Sequence, residues 1–385
     1  MVRPVLSSST GNAMDNLHER VSELLETARE PLPDRDMSRI VIYGAGNCGR
    51  RLAKSAKQRG MSVVAFLDVK ADVNQTVEGL PCYAPDSTES RSLARQSIPV
   101  VIAVFNHVTN PVPIRDGLRI AGFDTIISYY EAHERCGMAP EFWVAPRLEL
   151  YEKRREILLG LNFFLEQQSR QLYHDYLALR LSFDQALLST PALGCTYLPG
   201  DLPQPRQPMR LVDGGAYNGD TIDFFLGKGI CIQAVAAFEP DVSNYTRLVE
   251  AASKWSSLEV ETCLFPCGLA DKTAVVRFQG GDGEGSRLAE SGSVHVQVVA
   301  LDDVLPDYKP SLIKLDVEGA EPDALRGAHR NIVKYGPELA VSVYHAPHHI
   351  WEIPAQIRNM LPDHRLYLRS HWYNGFDTVV YAFPV

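Results

Sequence analysis

The sequence predicts an α/β protein built from two doubly wound units, each an open and mostly parallel sheet with helices on both faces. Three observations carry this reading. Apolar strands run into glycine turns at two places: Arg39–Tyr43 leads into Gly44-Ala45-Gly46-Asn47-Cys48-Gly49, and Leu211–Asp213 leads into Gly214-Gly215-Ala216-Tyr217-Asn218-Gly219. About two dozen residues beyond each turn a second apolar strand ends on an acid, Asp68 in one case and Glu239 in the other. At 385 residues the chain also exceeds what one core usually spans.

Composition narrows the class of partner. With 45% hydrophobic residues the chain is ordinary for a globular protein, and its net charge of −9 supplies no basic face to neutralise nucleic-acid phosphates. No apolar run is long enough to span a membrane, and Met1–Gly11 has no apolar signal-peptide core, so a cytoplasmic protein is expected. The seven cysteines include no C-x-x-C pair, and Cys263 and Cys267 lack a matching second pair. Reduced structural thiols are expected rather than a zinc site.

Residues 1–34 form a polar segment with one amphipathic helix, marked by Leu17, Val21, Leu24 and Leu25. The first unit covers residues 35–138. Its glycine turn follows a strand and opens a helix through Arg50–Arg59, and the next strand, Val63–Leu67, ends on Asp68. Strands at Pro99–Phe105 and Asp124–Ser128 follow. Gly44, Gly46, Gly49 and Asp68 are therefore candidates for a nucleotide, the glycines for backbone approach and the acid for a ribose. The unit resembles nucleotide-sugar-binding domains of sugar-modifying enzymes and, more loosely, dinucleotide domains of dehydrogenases. A packing or dimerisation module with the same turn is the plain alternative. Residues 139–208 are a connector, helical over Glu149–Leu188 and proline-rich over Pro191–Pro208.

The second unit covers residues 209–385. After the strand ending at Glu239-Pro240 come strands at Val260–Leu264 and Ala274–Phe278, then a glycine-rich loop, Gly280–Ser286, read as a hairpin tip or a substrate gate. Leu312–Leu315 leads into Asp316-Val317-Glu318-Gly319-Ala320-Glu321, and Leu339–Tyr344 ends on His345. Arg365–Arg369 and Thr378–Phe383, joined through Asn374-Gly375, read as an antiparallel hairpin.

Val212–Thr221, Phe238–Pro240 and Ile313–Glu321 together resemble the FkbM family of S-adenosylmethionine-dependent methyltransferases. That resemblance implies a class I methyltransferase fold, a seven-stranded sheet closed by the antiparallel hairpin. It implies S-adenosylmethionine as cofactor, with Asp213 toward the methionine amino end and Glu239 on the ribose. Gly214, Gly215, Ala216, Tyr217, Gly219, Asp220 and Thr221 would line the cofactor, as would Pro240 and, after the third strand, Gly268 and Leu269.

Methyl transfer to an aliphatic hydroxyl needs a base or a metal beside the oxygen. Asp316, Glu318 and His345 end neighbouring strands and are the catalytic candidates, His345 as a base near its unperturbed pKa. The same three residues could instead hold a divalent cation. Glu318 and Glu321 also suit a helix start with no chemical task, and His348 and His349 read as solvated side chains before a helix. His371, Trp372 and Tyr373 read either as an acceptor-pocket lining or as packing. The resulting expectation is O-methylation of a sugar, polyketide or other small metabolite, the acceptor open to being a nucleotide-sugar and a homo-oligomer left open. The alternatives are an NAD-type oxidoreductase, which lacks a substrate half, and a non-catalytic nucleotide-sugar-binding protein.

Overall fold

The structure is a computed structural model, and it describes residues 9–187, 190–192, 196–255, 258–279, 287–288 and 294–385. The chain divides into two compact units. The first takes in the chain to Leu158 together with Gln171–Pro191 and Trp372–Phe376; the second comprises Leu159–Arg170, Ala192–His371 and Asp377–Val385.

In the first unit, strands β1 (Arg39–Tyr43), β2 (Ser62–Leu67), β3 (Thr76–Val77), β4 (Leu80–Tyr83), β5 (Val100–Ile102) and β6 (Ile126–Ile127) form one sheet in the order β3-β4-β2-β1-β5-β6. β1 lies parallel to β2 on one side and to β5 on the other, so the chain winds outward in both directions from β1. Ligand crevices form at such a reversal. Ile40, Ile42, Val41 and Val101 are wholly buried, as expected for strands covered on both faces. The helix Asn47–Gln58 lays Leu52, Ala53 and Ala56 on the sheet, and the helix Ser9–Thr27 buries Leu17, Val21 and Leu25 as its spacing predicts. The short β3–β4 hairpin was not legible in the sequence, because a two-residue strand carries no periodicity.

Beyond β5, Phe105 stacks on Tyr129 with ring centroids 4.8 Å apart and meets Phe376 at 5.1 Å. Asn374, 2% exposed, donates from its amide to the carbonyls of Asn106 and Thr109 at 2.8 and 2.9 Å. These bonds and rings explain why Trp372–Phe376 belongs to this unit.

In the second unit the strands are β7 (Met209–Gly214), β8 (Ile232–Phe238), β9 (Glu261–Phe265), β10 (Gly268–Leu269), β11 (Ala274–Gln279), β12 (Arg287–Leu288), β13 (Val294–Val299), β14 (Leu312–Leu315), β15 (Glu338–Ser342), β16 (Arg365–Ser370) and β17 (Thr378–Phe383). Seven of them make the main sheet, β16-β17-β15-β14-β7-β8-β9. β17 runs antiparallel to both of its neighbours, while β15, β14, β7, β8 and β9 are mutually parallel. This is the expected seven-stranded sheet with a terminal antiparallel hairpin. β11 does not join it; it pairs with β12 and β13 in a separate four-stranded sheet. Leu211, Val235, Ala237, Phe225, Leu248 and Trp255 build the core between the sheet and its helices.

The loop Gly280–Ser286 and Cys195 lie outside the described residues. The connector is helical over Arg147–Glu152, Arg154–Leu161 and Gln167–Ser182, and its proline-rich part carries no helix or strand over the described residues 190–192 and 196–208. The six described cysteines are free, and no described helix is long and apolar enough to cross a membrane.

Candidate active site

The site grows from the C-terminal ends of β7, β8, β14 and β15. At Gly215 the backbone has φ +74°, and a Cβ there would sit 1.9 Å from the Asp316 carbonyl oxygen. Only glycine lets this turn close against the end of β14. The turn is held from the other side by Glu239, 6% exposed: its Oε2 accepts the Tyr217 N–H at 2.9 Å and its Oε1 the Asp241 N–H at 2.8 Å. Burial raises the Glu239 carboxyl above the ordinary glutamate value despite these two donors. Among the described residues no Lys or Arg side chain is hydrogen-bonded to it. The Asn244 side chain is a third donor, and the carboxylate keeps an acceptor position for a ligand hydroxyl, so the site fits a ribose.

Other residues singled out by sequence come to the same place. A Cβ on Gly214 would meet Leu269 Cδ1 at 2.9 Å, and one on Gly268 would lie 3.8 Å from Pro240 Cγ. The helix Asp220–Gly227 starts beside them, with Asp220 Oδ1 accepting the Thr221 N–H at 2.9 Å.

Asp213 lies deeper than its place in the motif suggests. It is wholly buried, and Lys314 Nζ sits 2.9 Å from its Oδ1, donating also to the Gly215 carbonyl at 2.6 Å. Burial works against the lysine charge, but Asp213, Asp316 and Asp220 outweigh it and the Lys314 pKa is raised. The turn is thus tied from below by an ion pair. Its sequence signal was a single lysine in the apolar strand Leu312–Leu315.

The second half of the site centres on His345, whose side chain is 2% exposed. Its Nδ1 donates to Glu321 Oε1 at 2.8 Å, and its Nε2 faces Asp316 Oδ1 at 3.5 Å and Glu318 Oε2 at 3.4 Å. Glu321 is wholly buried and also accepts the Val317 N–H at 2.9 Å. Burial alone would lower the imidazole pKa, but Glu321, Glu318 and Asp316 push it up to about 10. An unperturbed base is therefore not what the fold provides: with nothing bound, the ring is a cation at neutral pH. Glu321 moves the other way; burial would raise it, yet His345 and His349 hold it well below the usual carboxylate range.

Tyr197, from the connector, donates its hydroxyl to Asp316 Oδ2 at 2.7 Å. Burial and Asp316 keep that phenol protonated, its pKa raised well above the ordinary tyrosine value. Among the described residues, this leaves Asp316 Oδ1 and His345 Nε2 buried without a hydrogen-bond partner.

Asp316, Glu321 and His345 offer ligand atoms within 4.8 Å of one another. The 2.8 Å contact between Glu321 and Nδ1 is a hydrogen bond with no room for an ion. On the Nε2 side Asp316 Oδ1 lies 3.5 Å and Glu318 Oε2 3.4 Å from the ring nitrogen, so Asp316 and His345, with Glu318 beside them, are the groups that could hold a cation there.

Sequence reasoning missed Tyr197, Lys314, Glu321 and His349. His349 does not stand in solvent: it is 2% exposed, with Nδ1 3.3 Å from Glu321 Oε2. His348 is exposed as expected. His371 is wholly buried, its ring nitrogens on the Ala192 carbonyl and the Tyr381 hydroxyl, which is a packing role. In the first unit, Gly44, Gly46, Gly49 and Asp68 also come together, with Asp68 Oδ2 accepting the Ala45 N–H at 2.8 Å.

Residues 213–374 match the family described as Methyltransferase FkbM domain. Among solved structures, a methyltransferase FkbM from Methylobacillus flagellatus KT superposes with a TM-score of 0.75 at 22% identity, covering 97% of this chain and 98% of that one. A Rex-family repressor, RSP, aligns with a TM-score of only 0.21 at 14% identity over 33% of this chain and 81% of its own. No curated protein sequence matches significantly. The shared fold, the matched motifs and the convergent strand ends agree: residues 213–374 form an FkbM-family methyltransferase domain, and the chain is an S-adenosylmethionine-dependent methyltransferase.

Proposed function

We propose that this enzyme methylates a hydroxyl oxygen of a small hydroxylated metabolite, with a divalent cation held by Asp316, Glu318 and His345. The observation that carries the reading is the pair of unpartnered buried atoms, Asp316 Oδ1 and His345 Nε2, at the strand edge that also presents Glu239 and the glycine turn. S-adenosylmethionine supplies an electrophilic methyl carbon on a sulfonium, so the protein has to align an oxygen and remove its proton. Glu239 takes the ribose diol, and the Gly214–Gly219 turn admits the rest of the cofactor to the backbone.

A cation on the second cluster would supply Lewis-acid polarisation of the acceptor hydroxyl. The residues around it have separate tasks. Glu321 keeps the proton of His345 on Nδ1 and so directs Nε2 toward the acceptor side. Tyr197 occupies Asp316 Oδ2 and leaves Oδ1 to point into the site. Glu318, with 28% of its side chain exposed, lies on the side from which the hydroxyl proton leaves to water.

The test is transfer of a labelled methyl group to a panel of sugars, polyketides and amines, with and without EDTA and with Mg²⁺ or Mn²⁺ restored. Oxygen-linked product that disappears with chelator and returns with metal is expected. Product on nitrogen alone, or full turnover in both His345→Ala and Asp316→Asn, overturns the reading.

A further inference from the structure

We propose that the first unit contains a second ligand site, at the C-terminal ends of β1, β2 and β5, for a nucleoside diphosphate whose ribose is unphosphorylated. This goes beyond the methyl-transfer reading and rests on it only for the role of Glu239, to which Asp68 is compared.

The acid that ends β2 is braced like the acid that ends β8. Asp68 Oδ2 accepts the Ala45 N–H of the first glycine turn at 2.8 Å, and its Oδ1 accepts the N–H two residues on, at Lys70, at 2.9 Å. Glu239 makes the same two bonds, to Tyr217 in its turn and to Asp241 two residues on. The methyltransferase domain thus carries, within the same chain, a copy of the arrangement that places a carboxylate for a ribose diol.

The three glycines of the first turn have three different surroundings. Gly44, with φ +105°, passes so close to β5 that a Cβ would meet Val104 Cγ2 at 3.0 Å, and a Cβ on Gly49 would lie 1.9 Å from the Gly44 carbonyl oxygen. Packing accounts for both. Gly46 has φ −76°, which any residue adopts, and a Cβ there would meet none of the described residues within 4 Å. The fold does not require glycine at this position, whereas backbone approach to a diphosphate does.

A third observation is independent of the turn. The loops leaving β2 and β5, the two strands that flank β1, each expose a large apolar side chain, Val69 at 73% and Val108 at 58%. Both stand on loops at the C-terminal edge of this sheet, where a base would have to lie. Arg50, whose Nε donates to the Ala45 carbonyl at 3.2 Å, adds positive charge where phosphates would lie. The Asp68 carboxylate repels a 2′-phosphate, so NADP is disfavoured.

The ligand chemistry is shared by NAD and by nucleotide-sugars, and the experiment separates them. Full-length protein saturated with S-adenosylhomocysteine is titrated calorimetrically with NAD, NADP, and UDP- and GDP-sugars. At least one ligand other than NADP is expected to bind with Kd below about 1 mM, and NADP about tenfold more weakly than NAD. Gly46→Val is expected to weaken that binding about tenfold or more while melting at the wild-type temperature, because the added side chain fills open space without touching the fold. The binding is also expected to persist in Glu239→Gln. The proposal is overturned if no nucleotide binds, if Gly46→Val binds as the wild type does, or if the binding is lost with Glu239→Gln, which would assign it to the methyl-donor site.

Discussion

Lys314 and Asp213 sit side by side on β14 and β7, with Nζ 2.9 Å from Oδ1 and side chains 3% and 0% exposed, directly beneath the turn that approaches the cofactor. A charge pair this deep stabilises only while both members are present. Lys314→Met is expected to cost about 3–5 kcal/mol, because it strands the Asp213 carboxylate. In urea denaturation, Asp213→Asn with Lys314→Met should cost clearly less than the sum of the two single changes. Additive costs would show that the two side chains do not act as a pair.

Glu239→Gln keeps the shape of the side chain but removes the charge that receives a diol. S-adenosylmethionine affinity is expected to fall about 10- to 100-fold, as charge-assisted hydrogen bonds are worth about 1.5–3 kcal/mol. Calorimetry on the purified variant checks this, and unchanged affinity removes Glu239 from the cofactor site.

Glu321 touches His345 and His349 rather than the acceptor side of the cluster. Glu321→Gln is accordingly expected to lower kcat about 10- to 100-fold, the usual cost of losing an outer hydrogen-bond partner, with S-adenosylmethionine affinity unchanged. Equal losses in both quantities would mean that the variant disturbs the whole edge of the sheet.

Gly215→Ala places a methyl group 1.9 Å from the Asp316 carbonyl oxygen in a left-handed backbone. Strain of about 1–3 kcal/mol adds to the steric overlap. A depressed melting temperature with loss of cofactor binding is expected, and a wild-type melting curve would show that the turn can move away from β14.

His371 is held below its ordinary pKa chiefly by burial and stays neutral in the fold, as do His133 and His364 for the same reason. Unfolding lets each rise toward about 6.5 and take up a proton. Above that value neither state binds the proton and the term vanishes. As pH falls below it, the unfolded state binds more protons and stability drops, by at most about 1.4 kcal/mol per pH unit for each group. Between about pH 6.5 and about pH 5.5 the urea midpoint should fall, and fall less steeply in His371→Phe. An identical slope in that variant would show that His371 titrates alike in both states.

The sequence by itself determined the two glycine turns, the acids that follow them, the parallel strands and the closing antiparallel hairpin. These are local properties: apolar period, turn chemistry, and a carboxylate placed at a strand end. It also named Asp316, Glu318 and His345, since each ends a strand or opens the turn after one. Only the tertiary structure decided what surrounds them. Lys314 is one residue in an apolar strand until β14 pairs with β7, and Tyr197 belongs to a featureless connector until its hydroxyl reaches Asp316. Glu321 suited a helix start equally well, and His349 looked solvated, until the fold buried both beside His345. The state of His345 was decided there too, because its pKa reports three carboxylates gathered from 24 to 29 positions earlier in the chain, a proximity that no local pattern encodes.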